Sequence, residues 1–429
     1  MEYKKYPRTL VISMNAFSKG NSNNGKVLSQ YFSEWDKNCI AQFFVMNEEP
    51  DSPFCERYYR MTDKEAMRAC LTGKKGGSRI NVSRKEFKNE KVYKKVSKIP
   101  RYWQRLIRDI VWNCGRWYTK DLENWIKEFE PEILLVMIGG SSFIPNIAMK
   151  LAKKFNLPIV IYNTESYYFE KVSLFNPVKW IYRKEGNRAI KKIIKRSSEE
   201  IYLNEKLKEL YAVKFGKEGC VLYQSTELVP SPKKDKSQEL KFLYAGNINL
   251  GREQSLIQIA KALQNISPEY ILDVYGGADV ATEQELHSAN GIRYHGKVEY
   301  ERVLSAIEES DFIFHAESFE ARIVKNLTTA FSTKIADSLA SGRCFVIYAP
   351  ETLACVEYLK RFNCACVINS RSELEVCLSE LINSKEAQKG FIERAISIAQ
   401  ENHNSKVNCE RMRVILSRQV RGYYESNTN

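Results

Sequence analysis

The chain has 429 residues, more than one ordinary core accommodates and about right for two domains with connecting segments. With 44% hydrophobic and 28% charged residues it has the balance of a globular protein. Its formal charge of +14 is unevenly spread: residues 73–108 hold thirteen Lys or Arg against two acids, Glu86 and Glu90, so one segment carries most of the imbalance.

Met1 to Arg8 is polar and offers no secretory signal. The most apolar window, Ile133 to Met149, is broken by Gly139, Gly140, Ser141, Ser142 and Pro145, short of the roughly 20 continuous residues a membrane span needs. The expectation is a cytoplasmic chain without a transmembrane helix. Eleven cysteines with no CxxC pair fit neither a disulfide framework nor a zinc module, which leaves buried, reduced thiols.

In chain order, Thr9 to Ser13 is an apolar run of strand length. A Gly/Asn/Ser stretch follows, Lys19 to Gly25, in which Gly20 and Gly25 admit a phosphate on the acceptor side or form a plain turn. Lys26 to Trp35 is amphipathic. The basic segment then leads into Trp103, Leu106, Ile107, Ile110, Val111, Trp112 and Trp117, interleaved with Arg105, Arg108 and Arg116. A helix with Trp on one face and Arg on its flanks suits an anionic membrane surface, where lysines contribute about 1 kcal/mol each. The same pattern also suits a helix that buries its aromatics in a core beside a solvated basic loop.

Apolar runs at Ile40 to Met46, Ile133 to Ile138, Pro158 to Tyr162 and Glu200 to Leu203 alternate with helical patterns such as Ile147, Leu151, Ala152 and Phe155. Such alternation predicts a parallel sheet covered by helices. It stops at Leu228 to Glu239, a polar stretch with two prolines and three lysines, and then restarts. Strands are predicted at Lys241 to Ala245, Tyr270 to Tyr275, Ile292 to His295, Asp311 to Ala316, Cys344 to Tyr348 and Ala365 to Ile368. Leu256, Ile259, Ala260 and Leu263 between them have the spacing of one buried helix face. The organisation is thus an N-terminal doubly wound domain over 1–227 with a basic aromatic insertion at 73–118, a linker at 228–240, and a second doubly wound domain over 241–404. A last helix, 405–429, has the pattern to cross back to the first domain.

Open parallel sheets bind ligands beyond the carboxyl ends of their strands, where helix N-termini present unpaired N–H groups. Three loops of the second half have suitable composition. Gly246 to Gly251 offers two glycines, with Asn247 between them and Arg252 beside them as a bidentate guanidinium. Gly276 and Gly277 directly follow a strand. Phe331 to Gly342 begins with Ser332 or Thr333 as N-cap and places Lys334 and Asp337 one turn apart. Each loop also has a plainer reading, as a strand-to-helix connection, a tight turn, and a capped helix with a surface ion pair.

Taken together, FLYAGNINLGREQSLIQIAKAL, ILDVYGG, RYHGKV, SDFIFHAESFE and FSTKIADSLASGRCFVIY resemble, in order and spacing, the C-terminal domain of GT-B glycosyltransferases, particularly the retaining family 4 group of bacterial polysaccharide assembly. The resemblance implies an α/β GT-B fold, two Rossmann-like doubly wound domains facing across a cleft. It implies a nucleoside-diphosphate sugar as donor, no cofactor and no metal. Gly246 and Asn247, with Arg252 and Lys334, would meet the diphosphate, Gly276, Ser332 and Thr333 would belong to the donor site beside them, and Asp337 would stand where the family holds ribose with an acid. The family's first acid would fall at Thr329, which is not one; Glu317 or Glu320 would replace it. In the first half, NWIKEFEPEILLVMIGG and LPIVIYNTESYYF are similar to strands preceding the acceptor cleft. The family's histidine place there reads Asn163-Thr164-Glu165, which makes Glu165 the candidate base, beside Lys334 and Arg252 as catalytic cations.

The implied activity is glycosyl transfer to a glycan acceptor, in this family often polyprenyl-diphosphate-linked, in the synthesis of capsule, O-antigen or exopolysaccharide. It would proceed with retention on the inner face of the cytoplasmic membrane. Two other classes remain: an inactive relative serving as an assembly subunit, and a nucleic-acid binder acting through residues 73–108. No helix-turn-helix, zinc finger or RNP pattern supports the latter, so nucleic acid is not an expected partner.

Overall fold

A computed structural model of the protein describes residues 6–18, 23–80, 100–170, 176–231 and 239–428. The chain divides into two compact units, residues 1–223 with 405–429 and residues 224–404.

The first unit runs β1 (Thr9–Ser13), α1 (Asn23–Gln30), β2 (Ile40–Phe44), β3 (Arg57–Arg60), α2 (Asp63–Thr72), β4 (Ser78–Ile80), α3 (Arg101–Asn113), α4 (Lys120–Phe129), β5 (Ile133–Met137), α5 (Phe143–Phe155), β6 (Ile159–Asn163), α6 (Pro177–Arg196), β7 (Glu199–Tyr202), α7 (Glu205–Phe215) and β8 (Cys220–Val221). Its sheet has the order β4-β3-β2-β1-β5-β6-β7-β8, parallel throughout except for β4 against β3. Without its edge strands this is the doubly wound order, with the switch point between β1 and β5. Strands β1, β2, β5 and β6 are buried along their whole length, as strands covered by helices on both faces must be.

The second unit runs β9 (Phe242–Ala245), α8 (Arg252–Ile266), β10 (Leu272–Tyr275), α9 (Val280–Ser288), β11 (Ile292–Gly296), α10 (Tyr300–Glu309), β12 (Phe312–Ala316), α11 (Ala321–Leu327), α12 (Lys334–Ala340), β13 (Cys344–Tyr348), α13 (Ala354–Phe362), β14 (Cys366–Ile368), α14 (Arg371–Asn383) and α15 (Lys385–Asn402). The sheet order β11-β10-β9-β12-β13-β14 is again doubly wound, and its switch point lies between β9 and β12. Leu256, Ile259, Ala260 and Leu263 of α8 are fully buried, as their spacing predicts. The last helix, α16 (Ser405–Thr428), belongs to the first unit, where Ser405 Oγ donates to the Gln30 carbonyl and Asn408 Nδ2 to that of Tyr223.

Two expectations are corrected. Gly25 is not a loop residue: it sits buried in the first turn of α1, and its carbonyl accepts from Ser29 Oγ at 2.8 Å. Its partner in that reading, Gly20, lies outside the described residues, as do 81–99 of the basic segment and 232–238 of the expected linker. Nor do the tryptophans of 103–117 share an outward face. Asp109 is buried and accepts both Ser142 N and Ser142 Oγ at 2.8 Å, which fixes the rotation of α3 against α5. Trp112, three positions on, therefore turns inward, stacks on Phe143 at 5.0 Å and satisfies its indole N–H with Asp63. Trp117 is buried too, and only Trp103 is exposed. Among the described residues no helix is long and apolar enough to cross a membrane.

Candidate functional site

The carboxyl ends of β9, β10 and β11 are knitted together by backbone bonds. Gly246 N donates to the Tyr275 carbonyl and Gly276 N to that of Gly296, both at 2.9 Å. A Cβ on Gly276 would stand 1.9 Å from the Gly246 carbonyl oxygen, so only glycine lets the first two loops approach this closely. Glycine spacing reveals each loop; that they touch comes only from the fold.

The loop after β9 is held open in a defined shape. Tyr244 Oη donates to the Asn247 carbonyl at 2.8 Å, and Arg252 Nη1 donates to the same oxygen at 3.1 Å. Leu250 and Gly251 follow with φ of 73° and 75°, and left-handed backbone is uncommon for a residue such as Leu. The residue that precedes α8 is Gly251, which has no side chain to cap the first turn, and such helix starts suit anions.

Arg252 does not point into this loop as a free cation. Its Nε and Nη2 donate to Glu317 Oε2 and Oε1, both at 2.9 Å, in a buried fork that crosses the switch point from the end of β9 to the end of β12. His315 Nε2 lies 3.1 Å from the same carboxylate, and Ser255 Oγ donates to the Glu317 carbonyl. Burial pushes the Glu317 carboxyl up, but His315 and Arg252 bring it below its ordinary value. For Arg252, burial disfavours the charge and Glu317 outweighs it. Glu317 is thus the acid that sits with the Gly246 loop. Glu320, exposed at the start of α11, bonds through its backbone N–H to Ser318 Oγ.

Ser332, Thr333, Lys334 and Asp337 form a second cluster. Thr333 precedes α12 in helical conformation without capping it, and Ser332 Oγ accepts from Lys334 N. Gly342, at φ 74°, ends the helix region. No ion pair joins Lys334 to Asp337 among the described residues. Lys334 Nζ lies 5.9 Å above the Tyr300 ring, and Asp337 accepts from Thr226 Oγ1 at 2.6 Å. Burial raises the Tyr300 hydroxyl pKa, with Asp337 and Glu227 adding to it, which places these three groups in one neighbourhood. Thr329, the position expected for the first acid, is buried.

Sequence reasoning missed His315, Tyr244, Tyr300 and Thr226. Tyr244 and His315 lie inside segments that carry the resemblance, but only their contacts in the fold give them a role, and Tyr300 and Thr226 lie outside any such segment.

In the first unit, Glu165 follows β6 on the surface. Desolvation by the surrounding chain raises its carboxyl pKa, Glu170 adds to the rise, and Tyr167 opposes it. Among the described residues no three His, Cys, Asp or Glu side chains gather into a metal-binding group.

No family model and no curated protein matches the sequence. Solved structures do match the fold. Sucrose-phosphate synthase from Thermosynechococcus elongatus has a TM-score of 0.63 at 11% identity, covering 97% of this chain and 99% of that one. Anabaena HepE in complex with UDP-glucose has 0.59 at 10%, over 95% and 99%. The α,α-trehalose 6-phosphate synthase of Burkholderia multivorans has 0.56 at 9%, over 99% of each chain. The architecture is the GT-B fold of such glycosyltransferases.

Proposed function

We propose that the chain is a glycosyltransferase that takes a sugar from a nucleoside-diphosphate donor. The observation that carries this reading is the Arg252–Glu317 fork, which holds an uncapped helix start and a glycine loop at the switch point of the second sheet, where doubly wound sheets bind nucleotides. The GT-B fold agrees, and HepE, a neighbour of that fold, was solved with UDP-glucose.

In this reading the amides of Gly246, Asn247 and the first turn of α8 receive the diphosphate. Lys334, whose ammonium has no carboxylate partner among the described residues, supplies the charge that stabilises it as it leaves. Arg252 positions the loop through Glu317 and the Asn247 carbonyl. Asp337 and Thr226 stand near Lys334 to receive ribose hydroxyls. Transfer breaks the bond from the sugar C1 to the donor phosphate oxygen and forms one from C1 to the acceptor oxygen. With retention, the acceptor proton passes to the departing diphosphate. Glu165, with its raised pKa, is the base that an inverting reaction would use instead.

A lipid-linked glycan suits the acceptor role, and residues 73–118 would bring the chain to an anionic membrane carrying it, in surface polysaccharide synthesis. Incubation with UDP-, GDP- and dTDP-sugars tests the activity: slow donor hydrolysis without acceptor is expected with one of them, insensitive to chelators. No hydrolysis or transfer with any donor would leave the inactive relative as the better reading.

A further inference from the structure

Helix α3 is apolar on its outer side as well as on the side that buries Trp112. Its charged Asp109 is buried, while Trp103, Ile107 and Ile110, at i, i+4 and i+7, form an exposed apolar stripe. The start of α6 repeats the pattern: Tyr182 and Arg183 face inward, and Trp180 and Ile181 are exposed. The two helices pack together there. Lys179 Nζ lies 5.2 Å over the Tyr102 ring and Arg105 Cζ 6.0 Å over the Tyr182 ring. Lys179 and Tyr102 are the chain neighbours of Trp180 and Trp103, so the two exposed indoles flank one contact.

Five large apolar side chains at one helix pair exceed the scattered exposure that solubility tolerates. What would cover them is indicated by charge. Helix α6 holds eight Lys or Arg against the single acid Glu185, and α3 holds Arg101, Arg105 and Arg108 against buried Asp109. Lys184 Nζ sits 4.6 Å over the Trp180 ring, at the edge of the patch. An apolar strip with indoles and a basic border matches the boundary between acyl chains and anionic headgroups, where Trp is favoured and each nearby cation contributes about 1 kcal/mol. A second copy of the chain would bring the same positive border against itself.

We propose that the outer face of α3 with the start of α6 inserts into the surface of an anionic bilayer, with Trp103 and Trp180 as the side chains that enter it. This deepens the membrane role proposed for residues 73–118, since it adds α6 and replaces attraction alone by insertion. It is independent of whether the chain transfers sugar.

The protein has six tryptophans, and four of them, Trp35, Trp112, Trp117 and Trp125, are buried. Indole fluorescence therefore reports the patch. The full chain is mixed with phosphatidylglycerol/phosphatidylcholine vesicles whose acyl chains are brominated. The expected result is quenching by these vesicles, little by pure phosphatidylcholine, and loss of quenching in Trp103→Phe/Trp180→Phe, with near-ultraviolet circular dichroism showing that the variant is folded. Ile107→Ala/Ile110→Ala should weaken vesicle binding roughly tenfold. Binding without quenching would overturn insertion while sparing the electrostatic membrane role, and no binding would overturn both. Protein-concentration-dependent self-association that masks the indoles would assign the face to a second copy and overturn the proposal. Donor hydrolysis measured on the same protein without vesicles keeps these outcomes separate from those of the transferase reading.

Discussion

Arg252 and Glu317 meet in a two-bond fork, Nε to Oε2 and Nη2 to Oε1, each 2.9 Å, that ties the first loop of the second sheet to the strand across its switch point. Both side chains are largely buried, so removing one partner leaves the other charged and desolvated. Glu317→Ala is therefore expected to cost about 3–5 kcal/mol of stability, read by urea denaturation of the second unit's transition. A double-mutant cycle with Arg252→Ala should show the two losses to be far from additive.

The same carboxylate gives a pH signature. Because the folded chain holds Glu317 below its ordinary value, its contribution to stability is present above the unfolded carboxyl value of about 4.3 and is lost as pH falls through the folded one. Melting temperature measured between pH 3 and 6 should fall less steeply with acid in Glu317→Gln than in the parent chain. An unchanged slope would mean that His315 and Arg252 do not hold the carboxylate.

Gly276 and Gly277 separate a close approach from a mere turn. Alanine at 276 meets the Gly246 carbonyl at 1.9 Å and must displace backbone, at a cost of about 1–3 kcal/mol and of nucleotide affinity. Alanine at 277 has nothing nearer than Lys297 Cβ at 3.8 Å and should be tolerated in both measurements.

Lys334→Ala should weaken donor binding by about 1.5–3 kcal/mol, the scale of a charged hydrogen bond, with the fold unchanged. Titration calorimetry with the nucleotide checks this, and equal affinity in the variant would put the diphosphate elsewhere.

Glu165→Gln discriminates the stereochemical routes. With retention, transfer falls less than roughly tenfold and the product keeps the donor's anomeric configuration; a loss of 10²–10⁴, the range of a general base, would assign Glu165 that role. The raised pKa has its own consequence. The destabilisation it reports sets in as pH rises from about 4.3 through the folded value, so the Gln variant should melt slightly higher at pH 7.

Much of the fold is legible because parallel strands buried on both faces are continuous apolar runs. Thr9–Ser13 and Cys344–Tyr348 coincide residue for residue with β1 and β13. The strands missed are those without such a run. Arg57–Arg60 reads as a polar tetrapeptide, yet Tyr58 and Tyr59 are buried; Ser78–Ile80 and Cys220–Val221 are short edge strands. At the candidate site the glycines and Lys334 could be found from composition and family resemblance. The true partner of Arg252 could not, since Glu317 lies 65 positions away and only the strand order brings it near. Whether Trp112 faces a membrane surface or the core is likewise open in the sequence, and the Asp109 bonds to Ser142 fix which side of α3 turns inward.

The central claim, that the second unit binds a nucleoside-diphosphate sugar, is tested most directly by thermal unfolding with UDP-, GDP- and dTDP-sugars. At a hundredfold the dissociation constant the cognate donor should add about 2.7 kcal/mol of stability, and the gain should shrink in Lys334→Ala. No shift with any nucleotide sugar, in a chain that remains folded, would contradict it.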